Sequence, residues 1–232
     1  MESKQKSRRD IIKLGAGLTL GSAAVACQKM PSFSINSKLD TIEILHARRS
    51  VRKFKPTPVP EEHLTRILGA ARMAPTAGNQ QPWKFLVIRD KNKINELKAA
   101  CIKNSMDWYK ENQNPTEEQV KERHSGVTEY YNGRFSAPVF VVVLTDNESQ
   151  NAGYNHHDGP LAAGYLLIAA RSFGYGTVYY TDSIPDAVTK QVLNIPDRYT
   201  RVCITPIGVP EQWPETPDKK PLEEIVAYGV IS

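Results

Sequence analysis

Only three of the 232 residues are cysteine, at positions 27, 101 and 203. No Cys-x-x-Cys, His-Glu-x-x-His or other metal-ligand spacing occurs, so no metal site is indicated. Histidine is scarce too, with five in all. The one adjacent pair, His156-His157, stands beside Asp158 in a polar stretch where neighbouring side chains point apart. A surface loop or a helix cap suits it better than a catalytic base. No serine has nucleophile-elbow spacing, so a hydrolytic triad is excluded. No apolar run is long enough to span a bilayer: the longest, Leu14 to Ala26, has thirteen residues. One-sided charge is missing as well. The formal charge is +5, and residues 1–26 carry +3 of it through Lys4, Lys6, Arg8, Arg9 and Lys13 against Glu2 and Asp10. A body left with +2 has no concentrated basic face, and a nucleic-acid partner is not indicated.

Residues 1–26 read as an address and not as fold. Ser7-Arg8-Arg9-Asp10-Ile11-Ile12-Lys13, followed by the apolar run, resembles a twin-arginine export signal. Cys27 after Ala24-Val25-Ala26 resembles a lipoprotein acylation site, although Leu is usual at position 24. The expectation is therefore a signal over 1–26, a linker over 27–38 and one domain over 39–232. The product would be periplasmic or held to a membrane by lipid; a cytoplasmic chain with a basic N-terminus is the alternative. In an oxidising compartment Cys101 and Cys203 either pair or stay buried as small hydrophobes.

Within the domain, Asp40 with Glu43 three residues on is a capping box that opens a short helix. Leu64, Ile67, Leu68 and Ala71 give a second helix an apolar stripe, with Pro60 at its start and Pro75 at its end. Phe85 to Ile88 reads as a short buried strand and Lys91 to Met106 as a helix. Asn114-Pro115-Thr116-Glu117 signals the start of another helix, running to about Tyr131 with Asn114 as its cap. Pro138 to Thr145 has the composition of a central strand buried on both faces. Leu161 to Phe173, capped by Asp158, is the most apolar helix. A turn and strand over Gly174 to Tyr179, a helix over Asp182 to Leu193 and a strand over Arg201 to Val209 follow. The tail is proline-rich up to Leu222-Glu223-Glu224-Ile225-Val226.

Two stretches stand out against this background. Arg48 to Phe54 reads RRSVRKF, with Arg48, Arg49 and Arg52 around Ser50. Guanidinium forks and a short hydroxyl donor suit phosphate oxygens. Ala74 to Phe85 reads APTAGNQQPWKF, dense in side-chain amides, nearly free of charge and running straight into a strand. One can hold a phosphate while the other holds a flat polar heterocycle. Together, in this order and about 25 residues apart, they resemble the nitroreductase family. That family opens with Arg-x-Ser-x-Arg/Lys and continues with Pro-Ser/Thr-x-x-Asn-x-Gln-Pro-Trp. Arg48, Ser50 and Arg52 match the first pattern; Pro75, Thr76, Asn79, Gln81, Pro82 and Trp83 match the second.

The resemblance implies an α+β, three-layer α-β-α fold, with a mixed, mainly antiparallel sheet flanked by helices and a homodimer that exchanges its C-terminal arm. It implies FMN as cofactor, with the flavin N5 carrying the chemistry and no catalytic side chain. Arg48, Arg49, Ser50 and Arg52 would take the phosphate, Asn79 the flavin edge, and Gln81 a ring contact or pocket wall. Gly176 and Thr177, in the segment like the family's Gly-x-Gly-Thr, would lie beside the flavin. Lys219 stands in the slot of the family's tail arginine, within Pro217-Asp218-Lys219-Lys220-Pro221-Leu222. The middle segment over 107–131 would cover the site, and Trp108, Tyr109, Tyr130 and Tyr131 would wall a pocket for flat acceptors.

The implied reaction is ping-pong hydride transfer from NAD(P)H through the flavin to a nitroaromatic or quinone. An exported enzyme would need another, extracytoplasmic donor, since soluble NAD(P)H is a cytoplasmic reductant. The alternatives are dehalogenase-like or dehydrogenase activity on the same flavin, or a lipoprotein that binds FMN only as an electron relay.

Overall fold

The computed structural model describes residues 40–230. The twin-arginine-like stretch, Cys27 and all of the linker fall outside them. In chain order the elements are α1 (Thr41–Ala47), α2 (Glu61–Ala71), β1 (Trp83–Ile88), α3 (Lys91–Gln113), α4 (Glu117–Arg134), β2 (Val139–Asp146), α5 (Asn155–Ser172), α6 (Asp186–Leu193), β3 (Tyr199–Ile207) and the short α7 (Leu222–Ile225).

The strands form one antiparallel sheet in the order β1-β2-β3. The parallel component expected of a mixed sheet is reduced, among the described residues, to one bridge between Ser50 and Thr177. The central strand β2 is apolar on both faces because both are covered. Val139, Val141 and Val143 pack with Leu64 and Ile67 of α2 and Ala163 and Leu166 of α5. Phe140, Val142 and Leu144 pack with Leu97 of α3, Val127 and Tyr131 of α4 and Val188 of α6. This gives three layers, with α2 and α5 on one side and α3, α4 and α6 on the other. Gly159 lets α5 press onto the sheet, since a Cβ there would collide with Val202 and lie 2.8 Å from the Thr145 methyl.

The capping box of α1 is as the sequence indicates: Asp40 accepts from the Glu43 N–H at 2.8 Å and Glu43 from the Asp40 N–H at 2.9 Å. Several boundaries move: β1 and β3 each start two residues earlier, α6 starts at Asp186, and three helix ends shift with their caps. Helix α3 runs to Gln113, and Asn114, in the left-handed region at φ 43°, closes it instead of opening α4. Thr116 caps α4 through a capping box with Gln119, because a hydroxyl two residues later finds the free N–H of the first turn. Helix α5 starts at Asn155, which places Asp158 inside its first turn and not at the cap. Residues 176–180 make isolated bridges where a strand was expected.

Cys101 and Cys203 are both free and buried. They lie in the cores on opposite sides of the sheet and do not pair. Burial pushes both thiols up to about 12, so they are inert small hydrophobes at ordinary pH.

Candidate functional site

The basic stretch leaves the end of α1, where the Arg48 N–H closes the last turn on the Ile44 carbonyl at 3.0 Å. It then runs over Gly176 and Thr177. The Val51 N–H donates to the Thr177 carbonyl at 2.9 Å, and the Gly176 N–H donates to the Gly208 carbonyl at 2.9 Å. A Cβ on Gly176 would sit 2.7 Å from a Val51 methyl and 2.9 Å from Pro210. Glycine is thus required for close approach, and Gly176 and Thr177 support the clamp from behind. Val51 and Phe54 are buried, and Arg52 and Lys53 between them face outward.

Arg48, Arg49, Ser50, Arg52 and Lys219 line one cavity of about 490 Å³, with Glu215 the only acid among the described residues that line it. The tail forms its other wall. Arg171 of α5 donates from Nε to the Ala47 carbonyl at 3.1 Å and stacks over the Trp213 ring at 4.1 Å. Arg49 donates to the carbonyls of His46, at 2.5 Å, and Arg48, at 2.8 Å, and to the Thr216 hydroxyl. Arg49 therefore ties the end of α1 to the tail, whereas among the described residues Arg52 has only a long 3.3 Å bond to the Ser50 carbonyl. Burial, and then the charge of Arg49, lower the Arg171 pKa. Arg171 and Trp213 escape motif reading because their part is to brace the tail wall through each other.

The amide-rich loop is built elsewhere. Gly78, Asn79 and Gln81 all take left-handed conformations, at φ 59°, 57° and 49°. For Asn79 and Gln81 this is strained backbone that something else must hold. Gln80 and Asp158 hold it. The Gln80 side-chain amide donates to Asp158 Oδ2 at 2.7 Å and to the Asn151 carbonyl at 3.0 Å, and its oxygen accepts the Asn151 N–H at 2.7 Å. Asp158 Oδ1 accepts the Ala77 N–H at 3.1 Å. Asn79 and Gln81 are left exposed. Gln80, absent from the motif, and Asp158, expected as a cap, are thus the anchors.

One chain does not bring the two motifs together. The loop docks on Asp158 and the clamp on Arg171, thirteen residues apart on α5, or about 20 Å at ~1.5 Å per residue. Neither Asn79 nor Gln81 lines the clamp cavity.

Two further cavities flank Tyr130. One, of about 390 Å³, is lined by Ser105, Arg123, Tyr130, Tyr131, Asp182 and Ser183 among others. The other, of about 580 Å³, shares Arg52 with the clamp and adds Lys53 and Arg134. Arg201 fixes the loop that carries Asp182 and Ser183: it donates to the carbonyls of Thr181 and Ile184, each at 2.8 Å, and pairs with Asp186 at 2.9 Å. Of the four aromatic residues expected as walls, Tyr130 and Tyr131 line these cavities. Trp108 and Tyr109 do not: Trp108 is exposed, and Tyr109 packs against the α3–α4 core under Arg123.

The sequence model of the nitroreductase family matches residues 45–209. A candidate NADH dehydrogenase/NAD(P)H nitroreductase of Methanothermobacter thermautotrophicus is 29% identical over 187 residues, covering 78% of this chain and 83% of the relative. The iodotyrosine deiodinase of Thermotoga neapolitana is 28% identical, over 79% of this chain and 94% of that protein. Among solved structures, oxidised iodotyrosine deiodinase bound to FMN and 3-iodo-L-tyrosine superimposes with a TM-score of 0.67 at 26% identity. It covers 83% of this chain and all of that one.

Proposed function

The chain belongs to the nitroreductase family, and from that premise we propose that it is an FMN-dependent oxidoreductase passing two electrons from NAD(P)H to a nitroaromatic or quinone-like acceptor. The observation that carries this reading is the single cavity in which Arg48, Arg49, Ser50, Arg52 and Lys219 converge with one acid among them. Such a donor set fits a phosphate monoester. When bound, FMN supplies a two-electron carrier that takes a hydride from one substrate and returns it to the next. The chain's own task is to hold and expose it. Arg48, Ser50, Arg52 and Lys219 bind the phosphate end, Arg49 keeps the tail closed over it, and Asn79 and Gln81 present amides to the polar edge of the ring. For a quinone the sum is NAD(P)H + H⁺ + quinone → NAD(P)⁺ + hydroquinone.

The separation of clamp and loop along α5 supports a homodimer. Leu161 and Tyr165, 44% and 41% exposed, mark an apolar stripe on α5 that the described residues leave uncovered. Two α5 helices packed antiparallel across a two-fold axis bring one copy's loop to the other's clamp. The likeness to iodotyrosine deiodinases favours one second reading, reductive removal of halide from an aromatic ring: ArX + NAD(P)H → ArH + X⁻ + NAD(P)⁺.

The protein is expected to purify yellow, with one non-covalent FMN per subunit. Arg52→Ala removes a charge-assisted contact of about 1.5–3 kcal/mol, or roughly a ten- to hundredfold loss of flavin affinity. Unchanged affinity in a fluorescence titration removes Arg52 from the site. Stopped-flow mixing of the photoreduced enzyme with menadione, nitrofurazone and a halogenated phenol separates the two reactions. Reoxidation no faster than by dissolved oxygen alone favours an electron-relay protein.

Export is a separate proposal, motivated by Arg8-Arg9 and the apolar run after them. Replacing both with lysine should leave the precursor in the cytoplasm, and equal delivery of both forms on cell fractionation refutes it. An exported enzyme would draw on a quinol or a partner reductase in place of NAD(P)H.

A further inference from the structure

Among the described residues, three buried side-chain polar atoms have no hydrogen-bond partner: Thr128 Oγ1, Arg134 Nε and the Tyr180 hydroxyl. Two of the three belong to one place. Tyr180, 2% exposed, lies within electrostatic reach of Arg134, Arg52 and Tyr130. Arg134, in the last turn of α4, stacks over the Tyr130 ring at 3.2 Å and donates from Nη1 to the Tyr130 carbonyl at a long 3.4 Å. The ion pairs among the described residues lie elsewhere, and none uses Arg52, Lys53 or Arg134. Burial pushes the Tyr180 hydroxyl up to about 12, which keeps it protonated and a donor.

Buried donors without acceptors are rare in native proteins and ask for an occupant. Here the neighbouring cavity of about 580 Å³ is lined by Arg52, Lys53, Tyr130 and Arg134, with Glu129 the only acid among the described residues that line it. Its three cations form no ion pair among the described residues, its aromatic wall is half open, and it meets the clamp cavity at Arg52. The phosphate end of a cofactor already has its own donors on the other side of that residue. What remains unmatched is a set of N–H and O–H groups beside an aromatic face, the complement of a flat ring bearing a negative oxygen.

We propose that Arg134, backed by Tyr180, binds an anionic oxygen on the electron acceptor, a carboxylate or phenolate, so that the site selects acidic aromatics. The inference rests on the oxidoreductase reading above and adds the charge of the acceptor. Lys53 supports the same field, and the Tyr130 ring stacks on the acceptor. Arg134 acts in binding and not in electron transfer.

The oxidised holoprotein is titrated with 4-nitrobenzoate and its methyl ester, and with 4-nitrophenol above its pKa and 4-nitroanisole, following the flavin absorbance. One charge-assisted contact predicts that an anion binds roughly tenfold or more tightly than its neutral counterpart. The pair that shows the preference identifies carboxylate or phenolate. Arg134→Gln should abolish that ratio, Arg134→Lys should keep part of it, and Tyr180→Phe should reduce it several-fold, all with FMN affinity unchanged. Equal binding of anion and neutral form in both pairs overturns the proposal. So does a ratio that survives Arg134→Gln, or a loss of FMN in that variant, which assigns the residue to the cofactor. Stopped-flow reoxidation of photoreduced protein by the neutral ester keeps the two readings apart. Turnover without charge preference removes only this inference, whereas no turnover with any acceptor removes the oxidoreductase reading.

Discussion

A chain ending at Pro210 should lose FMN and self-association together while keeping its fold. Residues 211–230 are exposed throughout, so their removal uncovers little of either core. The backbone bond lost to the body is that of the Glu211 N–H to the Lys53 carbonyl, at 3.2 Å. What goes is the wall of the clamp. Trp213 leaves Arg171, Thr216 leaves Arg49, and Lys219 no longer faces the cavity. Loss of Lys219 alone corresponds to about 1.5–3 kcal/mol of phosphate binding, and the freed Arg49 and Arg171 add the cost of ordering them again. Flavin affinity should fall by at least about a hundredfold. Leu222, Ile225 and Tyr228, 68%, 61% and 93% exposed, are too apolar to be a free tail and suit a partner's surface. Light scattering and flavin titration measure both losses. A yellow, monomeric truncated chain with normal affinity excludes the crossing arm.

The layers and the clamp were legible in the sequence because short-range chemistry determines them. The all-apolar run of β2 needs cover on both faces, and Asp40 with Glu43 opens a helix wherever the pair occurs. Arg48, Ser50 and Arg52 converge because alternate residues of an extended segment share a side, and Val51, buried against Gly176, fixes which side. Residues whose role depends on distant contacts were not legible. Asn114 looks like an N-cap until α3 reaches it, where its tolerance of positive φ makes it a stop. Gly176 matched a motif, but its reason is the approach of Val51 and Pro210, from more than 25 residues away on either side. Trp213 and Arg171 form a pair across 42 residues that no spacing announces. The motif also put Asn79 and Gln81 beside the clamp, whereas the length of α5 holds them about 20 Å from it within one chain.

The latch at the other end of α5 gives the sharpest test of that arrangement. Asp158→Ala leaves the Ala77 N–H without its acceptor, at a cost of about 1–3 kcal/mol where water does not reach, and leaves one donor of the Gln80 amide with only a long 3.4 Å bond to Asn155 Oδ1. It also releases Asn79 and Gln81 from left-handed backbone, which costs them roughly 1–2 kcal/mol apiece to maintain. The loop should relax and withdraw its amides, weakening FMN binding about tenfold or more, although Asp158 stands some 20 Å from the clamp of its own chain. Asp158→Asn should fall between, since one carbonyl oxygen can still accept from Ala77. A mixed dimer separates the two geometries. When an Arg52→Ala chain is paired with an Asp158→Ala chain, a site made of one copy's clamp and the other's loop receives either both defects or neither. Half of the sites should then bind FMN with wild-type affinity. Were clamp and loop to serve the same site within one chain, every site would carry one defect and no high-affinity binding would return. Flavin titration of the purified heterodimer decides between them, and a single weak class of sites would exclude the shared site.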